Sequence, residues 1–316
     1  MIHPASPLKA ATRPAISAFS RMFKAATVPL DWMMPWVVDF CRLEINSSAA
    51  MRFLLSWSTL LASLLPTTLV HAQSLQGSSS CAAPAPGDYL IVGEGHRAEQ
   101  PLGRLQLETW LPNGSVLGKR FLRVGRIYSE TDYAGRWELD AGCGLTVTRD
   151  AAGSTSKVLL TAQGKPRFGL SDRAGDVVTE RWIPQPERRC EPEDMDGTLL
   201  SVQTGHTMTA SSWRPNAVIQ KESWTGWSMV GLAVSSYDGA GEVAAYQGQF
   251  TQDQNCIGRI RQQDDRGVIY AYAAILRSDG GGYAYLQTQG DDLTVALVEK
   301  LGSPPLAAVD PTSLNP

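Results

Sequence analysis

The sequence is short of the features that announce most enzymes and most nucleic-acid binders. Its 316 residues hold 28 Lys and Arg against 31 Asp and Glu, evenly mixed. A partner gripped mainly through its phosphates is therefore excluded. Histidine is scarce, at four in the chain, and the five cysteines include no CxxC pair, a poor donor set for a metal centre. No HExxH, GxSxG, P-loop or dinucleotide fingerprint occurs, and no long charged amphipathic helix can be drawn. What is present is a 43% hydrophobic chain with 19% charged residues, too apolar for intrinsic disorder and long enough for two domains with real cores. The 29 glycines, 19 prolines, 9 tryptophans and 9 tyrosines are the composition of short strands joined by many turns.

The targeting signal begins at Met51. Arg52 precedes an apolar run over 53–70 that ends in Val70-His71-Ala72, the small-x-small cleavage pattern of a secretory signal peptide spanning 51–72. Cleavage after Ala72 leaves 244 residues with a formal charge of −6. The alternative is a retained anchor, which Ser56, Ser58, Ser63, Pro66, Thr67 and Thr68 dilute. Residues 1–50 then read as a non-native leader from a start placed too early, or as an extended cytoplasmic tail. The expected location is periplasmic or extracellular, with no stable membrane span after cleavage.

An internal repeat decides the architecture. Gly87-Asp88-Tyr89-Leu90-Ile91-Val92-Gly93-Glu94-Gly95-His96 aligns without gaps on Gly197-Thr198-Leu199-Leu200-Ser201-Val202-Gln203-Thr204-Gly205-His206, with five identities. Tyr133-Ala134-Gly135-Arg136-Trp137 followed by Cys143 matches Tyr246-Gln247-Gly248-Gln249-Phe250 followed by Cys256. Phe168 to Asp176 matches Tyr283 to Asp291. Between His96 and Tyr133 the alignment fails; extra residues are expected near Trp213-Arg214-Pro215 in the second copy and near Phe121 to Tyr128 in the first. Within each copy the period is two. Strand-like runs at 229–237, 268–277, 283–288 and 293–298 are punctuated by Asp238-Gly239, Arg266-Gly267, Asp279-Gly280 and Gly290-Asp291. The first copy takes Asn113-Gly114 and Arg173-Ala174-Gly175 as turns. About eight short antiparallel strands per copy bury their alternate residues most simply by closing. The expected fold is all-β: two tandem eight-stranded meander barrels, over 81–182 and 190–300. A linker at 183–189 and a disordered tail at 301–316 complete it. A single β-sandwich is the alternative.

Cys41 precedes the signal, leaving Cys81, Cys143, Cys190 and Cys256 in an oxidising compartment, with three possible pairings. Cys81–Cys143 and Cys190–Cys256 is the pairing that treats both copies alike. A metal site would need single cysteines more than forty residues apart to converge, and Cys81 lacks the apolar neighbour of a lipid-anchor site.

Gly135-Arg136-Trp137 through Cys143-Gly144, and Gly248-Gln249-Phe250 through Asn255-Cys256-Ile257-Gly258, with Gln287-Thr288-Gln289-Gly290 near the end, resemble the repeat of a family of secreted bacterial proteins. That family is largely uncharacterised and is similar to calycin-like and allene-oxide-cyclase-like small barrels. The first copy departs from the pattern at Gly142 and at Ser171-Asp172. The resemblance implies a fold over about 81–300 and carries over no catalytic residue.

Candidate chemistry is thin. His96 and His206 are the histidines of the mature chain and stand at equivalent strand ends. They could supply a general base per barrel, or hydrogen-bond a turn. Trp137, Trp182, Phe250, Tyr283 and Tyr285 read as core. Trp213, Trp224 and Trp227, with Glu222, lie where the copies diverge and are the candidate recognition surface. Asp194-Met195-Asp196 and Ser278-Asp279-Gly280-Gly281-Gly282 lack calcium-loop spacing and read as turns. The expected function is an exported, non-enzymatic binding or surface-associated protein for a small apolar ligand or a cell-surface partner, with no cofactor and no metal. The alternatives are an isomerase- or cyclase-type barrel with an internal pocket, and a structural envelope protein.

Overall fold

The computed structural model describes residues 81–150 and 153–302. The leader, the signal segment and residues 303–316 lie outside the described residues. Barrel 1 comprises β1 (Gly87–Arg97), β2 (Gln100–Trp110), β3 (Ser115–Val124), β4 (Ile127–Leu139), β5 (Leu145–Arg149), β6 (Ser154–Leu160), β7 (Pro166–Ser171) and β8 (Asp176–Gln185). A 3₁₀ turn, Pro192–Met195, leads into barrel 2: β9 (Gly197–Thr209), β10 (Ser212–Thr225), β11 (Ser228–Tyr237), β12 (Ala240–Gln254), β13 (Ile257–Asp264), β14 (Ile269–Leu276), β15 (Gly282–Gln287) and β16 (Asp292–Lys300). Within each barrel every strand pairs antiparallel with the next, β8 returns to β1, and β16 returns to β9, so two meanders close in sequence. The single sandwich is thereby set aside. Because β8 runs to Gln185, the linker begins three residues later than its composition suggests.

The period-two pattern is literal on β10, where residues 216 to 224 alternate buried and exposed at every position. Both disulfides form as the repeat requires, Cys81–Cys143 and Cys190–Cys256. In each copy the second cysteine occupies the turn between the fourth and fifth strands, with left-handed φ of 64° at Cys143 and 61° at Cys256. Glycine is required where an aromatic ring crosses the interior: a Cβ at Gly118 would lie 2.5 Å from the Tyr133 ring, and one at Gly231 2.4 Å from that of Tyr246.

The ladders also correct the repeat alignment. The β9–β10 hairpin is longer than β1–β2, as expected around Trp213. The extra residue of the first copy, however, lies in the β2–β3 loop, not at 121–128: six positions separate Trp110 from Val116 and five separate Trp224 from Met229. With that shift, Gln106-Leu107-Glu108-Thr109-Trp110 superposes on Gln220-Lys221-Glu222-Ser223-Trp224. Farther on, Phe168 is equivalent to Ala284 rather than to Tyr283, because Leu159 pairs with Phe168 as Ile275 pairs with Ala284. A slip of one residue exchanges the two faces of a strand. Phe168 accordingly points out of its barrel, and Tyr283 points in and is fully buried.

The barrels join through outward-facing residues. Leu90, Leu105 and Phe121 of barrel 1 pack with Ile257, Ala273, Ile275, Ala284, Leu286 and Val295 of barrel 2, all buried. Gly103 lets β2 approach: a Cβ there would sit 2.7 Å from Leu286 Cδ1. Arg123, fully buried, spans the junction and donates to the carbonyls of Gln287 (3.2 Å), Gln289 (3.2 Å), Gly290 (2.5 Å) and Asp292 (2.6 Å) in the β15–β16 turn.

Candidate functional site

One seat is repeated in both interiors. Glu108 accepts from Trp110 Nε1 at 3.0 Å and from the Tyr133 hydroxyl at 2.6 Å. Glu222 accepts from Trp224 Nε1 at 2.8 Å and from the Tyr246 hydroxyl at 2.9 Å. Around this shared seat the interiors diverge. In barrel 1 Arg149 pairs with Glu108 and Arg104 pairs with Glu180, with Ser156 Oγ 2.7 Å from both Arg149 Nη1 and Glu180 Oε1. Arg120 fills the space beside them, and Leu102, Leu122 and Val178 close the end of the barrel. Barrel 2 has Val218, Ala233 and Gln262 at the positions of Arg104, Arg120 and Arg149, and Ala296 at that of Glu180. Asn216, Ser235 and Thr294 stand at the positions of the leucine and valine seal.

The consequence is a hollow of about 60 Å³ in barrel 2 that opens at the end remote from the Cys190–Cys256 disulfide. Tyr237, Tyr246, Tyr270, Tyr272 and Tyr285 line it together with Gln203, Gln220, Gln262 and Gln287. Its floor is tied together by the Tyr285 hydroxyl, 2.5 Å from Gln203 Oε1 and 2.9 Å from Gln220 Oε1, and by edge-on packing of Tyr272 on Tyr285 at 4.8 Å. At the mouth Arg266 bridges Glu242 and Asp264, and Asp264 also accepts from the backbone N–H of Val268.

A hydrogen-bond chain fixes the wall. Asn216 Nδ2 donates to Thr207 Oγ1 at 2.7 Å, and Thr207 donates to Asp292 Oδ1 at 2.6 Å. With the threonine proton spent on Asp292, the asparagine must present Nδ2 to Thr207. That turns Asn216 Oδ1, buried and without a hydrogen-bond partner, toward Gly205, where a Cβ would lie only 2.8 Å from it. Burial raises the Asp292 carboxyl and pushes the Tyr270 hydroxyl up to about 12. Burial likewise raises the hydroxyls of Tyr246, Tyr272 and Tyr285, so all four stay neutral at physiological pH. Three carboxylates against one guanidinium, with tyrosine π-faces, suit a ligand that carries hydrogen-bond donors, above all a small cation.

The residues singled out from sequence are scattered. Glu222 points into barrel 2 but lies beneath the hollow, held also by the Tyr283 hydroxyl at 2.7 Å. Burial raises its carboxyl. Trp224 is buried beside it, and Trp227 packs on Phe250 at 5.0 Å near the disulfide. Trp213 sits at the β9–β10 hairpin and donates to Gln100 of barrel 1 at 3.3 Å. The tryptophans therefore do not form one recognition surface: the alternation of β10 turns Trp224 inward. His96 and His206 do come together, ring centroids 4.9 Å apart and edge to face, but between the barrels and not inside either. Burial and the neighbouring His96 lower the His206 pKa. Among the described residues no group of three or more His, Cys, Asp or Glu is placed to hold a metal.

No protein-family model matches the chain, and no functionally curated protein does. Among solved structures it is similar to a porin-like protein from Bacteroides uniformis ATCC 8492, at 10% identity, over 69% of this chain and 98% of that one, with a TM-score of 0.20. A likeness at that level carries nothing about this chain's function.

Proposed function

We propose that this is an extracytoplasmic, non-enzymatic binding protein whose ligand site is the tyrosine-lined hollow of barrel 2, and that its ligand is a small donor-rich molecule such as a protonated amine. The observation that carries the reading is the difference between two otherwise matched interiors: one is filled by arginines and sealed by Leu102, Leu122 and Val178, and the other is open at Asn216, Ser235 and Thr294. The polarity of the lining moves the expected ligand from apolar to polar. The two disulfides and the signal segment support export, and the closed eight-stranded meander suits the calycin-like resemblance. An isomerase or cyclase reading is less favoured, because the mouth carboxylate Asp264, the nearest candidate base, is engaged by Arg266.

The test is thermal melting of the disulfide-bonded protein with a panel of small primary and quaternary ammonium ions and matched neutral alcohols. An ammonium ion is expected to raise the melting temperature of the wild type. The Asn216→Leu/Ser235→Leu variant, which copies the barrel 1 seal, is expected to lose the shift while keeping its fold. No response to any ammonium ion in the wild type, or an unchanged response in the sealed variant, refutes the reading.

A further inference from the structure

Duplication has made two copies of each half of the inter-barrel junction, and only one copy of each is used. On barrel 1 the docking face is a cross-strand row, Val92 beside Leu105 beside Phe121, with Leu90 in the adjoining row. The same rungs of barrel 2 carry Val202 beside Ile219 beside Val234, with Leu200 and Leu232 adjoining. Leu90, Leu105 and Phe121 are wholly buried, whereas their counterparts Leu200, Ile219 and Val234 are exposed, as are Val202, at 79%, and Leu232 beside them.

The receiving face shows the same asymmetry. On barrel 2 it presents buried Ile275, Ala284, Leu286 and Leu293. The equivalent rungs of barrel 1 carry Leu159, Phe168, Leu170 and Val177, all exposed, Val177 at 77%. Contiguous apolar rows of this kind are uncommon on a free surface. The spare faces do not meet within one chain: Phe168 looks toward Leu200 and Val202 only across a groove of about 810 Å³.

We infer that the spare faces bind each other between copies, so that the chain assembles head to tail, β9–β11 of one molecule seated on β6–β8 of the next. Each contact repeats the junction already built inside the chain. One side-chain change is compensated in part: Ala217 adds a methyl where Gly103 has none, and Val177 is one methylene shorter than Leu293, which a Cβ at Gly103 would approach to 3.1 Å. Such an interface is heterologous and propagates to a ring or a filament according to its rotation. It is also weaker than the internal one. Ser236 stands at the position of Arg123, and Lys221, Lys157, Thr179 and Arg181 replace Leu107, Ala273, Val295 and Leu297, so the assembly is reversible and concentration-dependent.

Sedimentation of the full disulfide-bonded protein tests this up to about 100 μM, where a contact lacking the arginine anchor is expected to populate. The wild type is expected to grow in mass with concentration. Val234→Lys blocks the docking face and Leu170→Glu the receiving face. Both residues are exposed, so both variants are expected to fold, which circular dichroism checks, and each alone is expected to be monomeric. Mixed together they retain one intact face each, and a discrete one-to-one dimer is expected. A wild type that stays monomeric throughout leaves the faces to some other partner and overturns the proposal. Self-association by either single variant, or no heterodimer on mixing, overturns it as well.

Discussion

Arg123 is the residue on which the union of the barrels is expected to turn. Its side chain is wholly buried and donates to four carbonyls of the opposite barrel, besides Gly125 O in its own turn. Hydrogen bonds to a charged group contribute roughly 1.5–3 kcal/mol each. Returning the guanidinium to water recovers several kcal/mol of desolvation, so Arg123→Ala is expected to cost about 3 kcal/mol net. For a folded region of about 220 residues, 1 kcal/mol moves the melting temperature by about 2–4 °C, and the shift should be about 6–12 °C. The form of the transition matters as much as its position. Each barrel has its own core and its own disulfide, so loosening the junction should split one calorimetric transition into two. A single transition lowered by less than about 2 °C would show that the apolar contact of Leu105 and Phe121 suffices alone, and would refute the assignment of Arg123 as the lock.

Other perturbations separate the remaining contributions. Cys81→Ser/Cys143→Ser and Cys190→Ser/Cys256→Ser open loops spanning 62 and 66 positions; each pair is expected to cost about 4 kcal/mol in chemical denaturation, with the larger effect on its own barrel. Because the His206 pKa is lowered on folding, the unfolded chain binds the proton more readily. Stability should therefore fall as pH drops below the ordinary imidazole value of about 6.5 and level off beneath the folded value. His206→Asn should flatten that part of a melting-temperature profile. Gly103→Val should lower melting by forcing β2 away from Leu286, whereas Ala217→Val, at the equivalent exposed position, should leave it unchanged.

The fold was legible because strand alternation, glycine turns and the duplication are all local or collinear signals. The Cys pairing followed from the duplication. The equivalence of β2 and β10 was also written in the chain, since Gln106, Glu108 and Trp110 recur as Gln220, Glu222 and Trp224, but the longer β9–β10 hairpin breaks an ungapped search that starts from His96. The hollow had no local signature. Asn216, Tyr246, Gln262, Tyr272, Tyr285 and Thr294 come from six different strands, and three of those, β14, β15 and β16, are buried on both faces, so no alternation marks the inward residue. Only the ladder registers reveal that Asn216 and Thr294 replace Leu102 and Val178. The meeting of His96 and His206 required knowing how the barrels pack, which alternation within a strand does not encode.

Comparison of the two interiors also shows what keeping a hollow costs. Glu108 has a cation, Arg149, at its side; Glu222 has Gln262 at that position and only neutral donors, Trp224, Tyr246 and Tyr283, around it. An ionised carboxylate buried without a cation is destabilising, and burial accordingly raises its pKa. Because the folded value lies above the unfolded one, the contribution of Glu222 is fully present at acid pH and is lost as pH rises through the folded value. Gln262→Arg would restore the barrel 1 arrangement: the guanidinium would neutralise Glu222 and occupy the hollow. That variant is expected to flatten the pH dependence of melting between the ordinary carboxylate value and the raised Glu222 value, and to abolish any ammonium-induced shift. If the pH slope flattened while the ammonium response persisted, the ligand would have to sit elsewhere. If neither changed, the raised Glu222 carboxyl would not be what separates the two barrels.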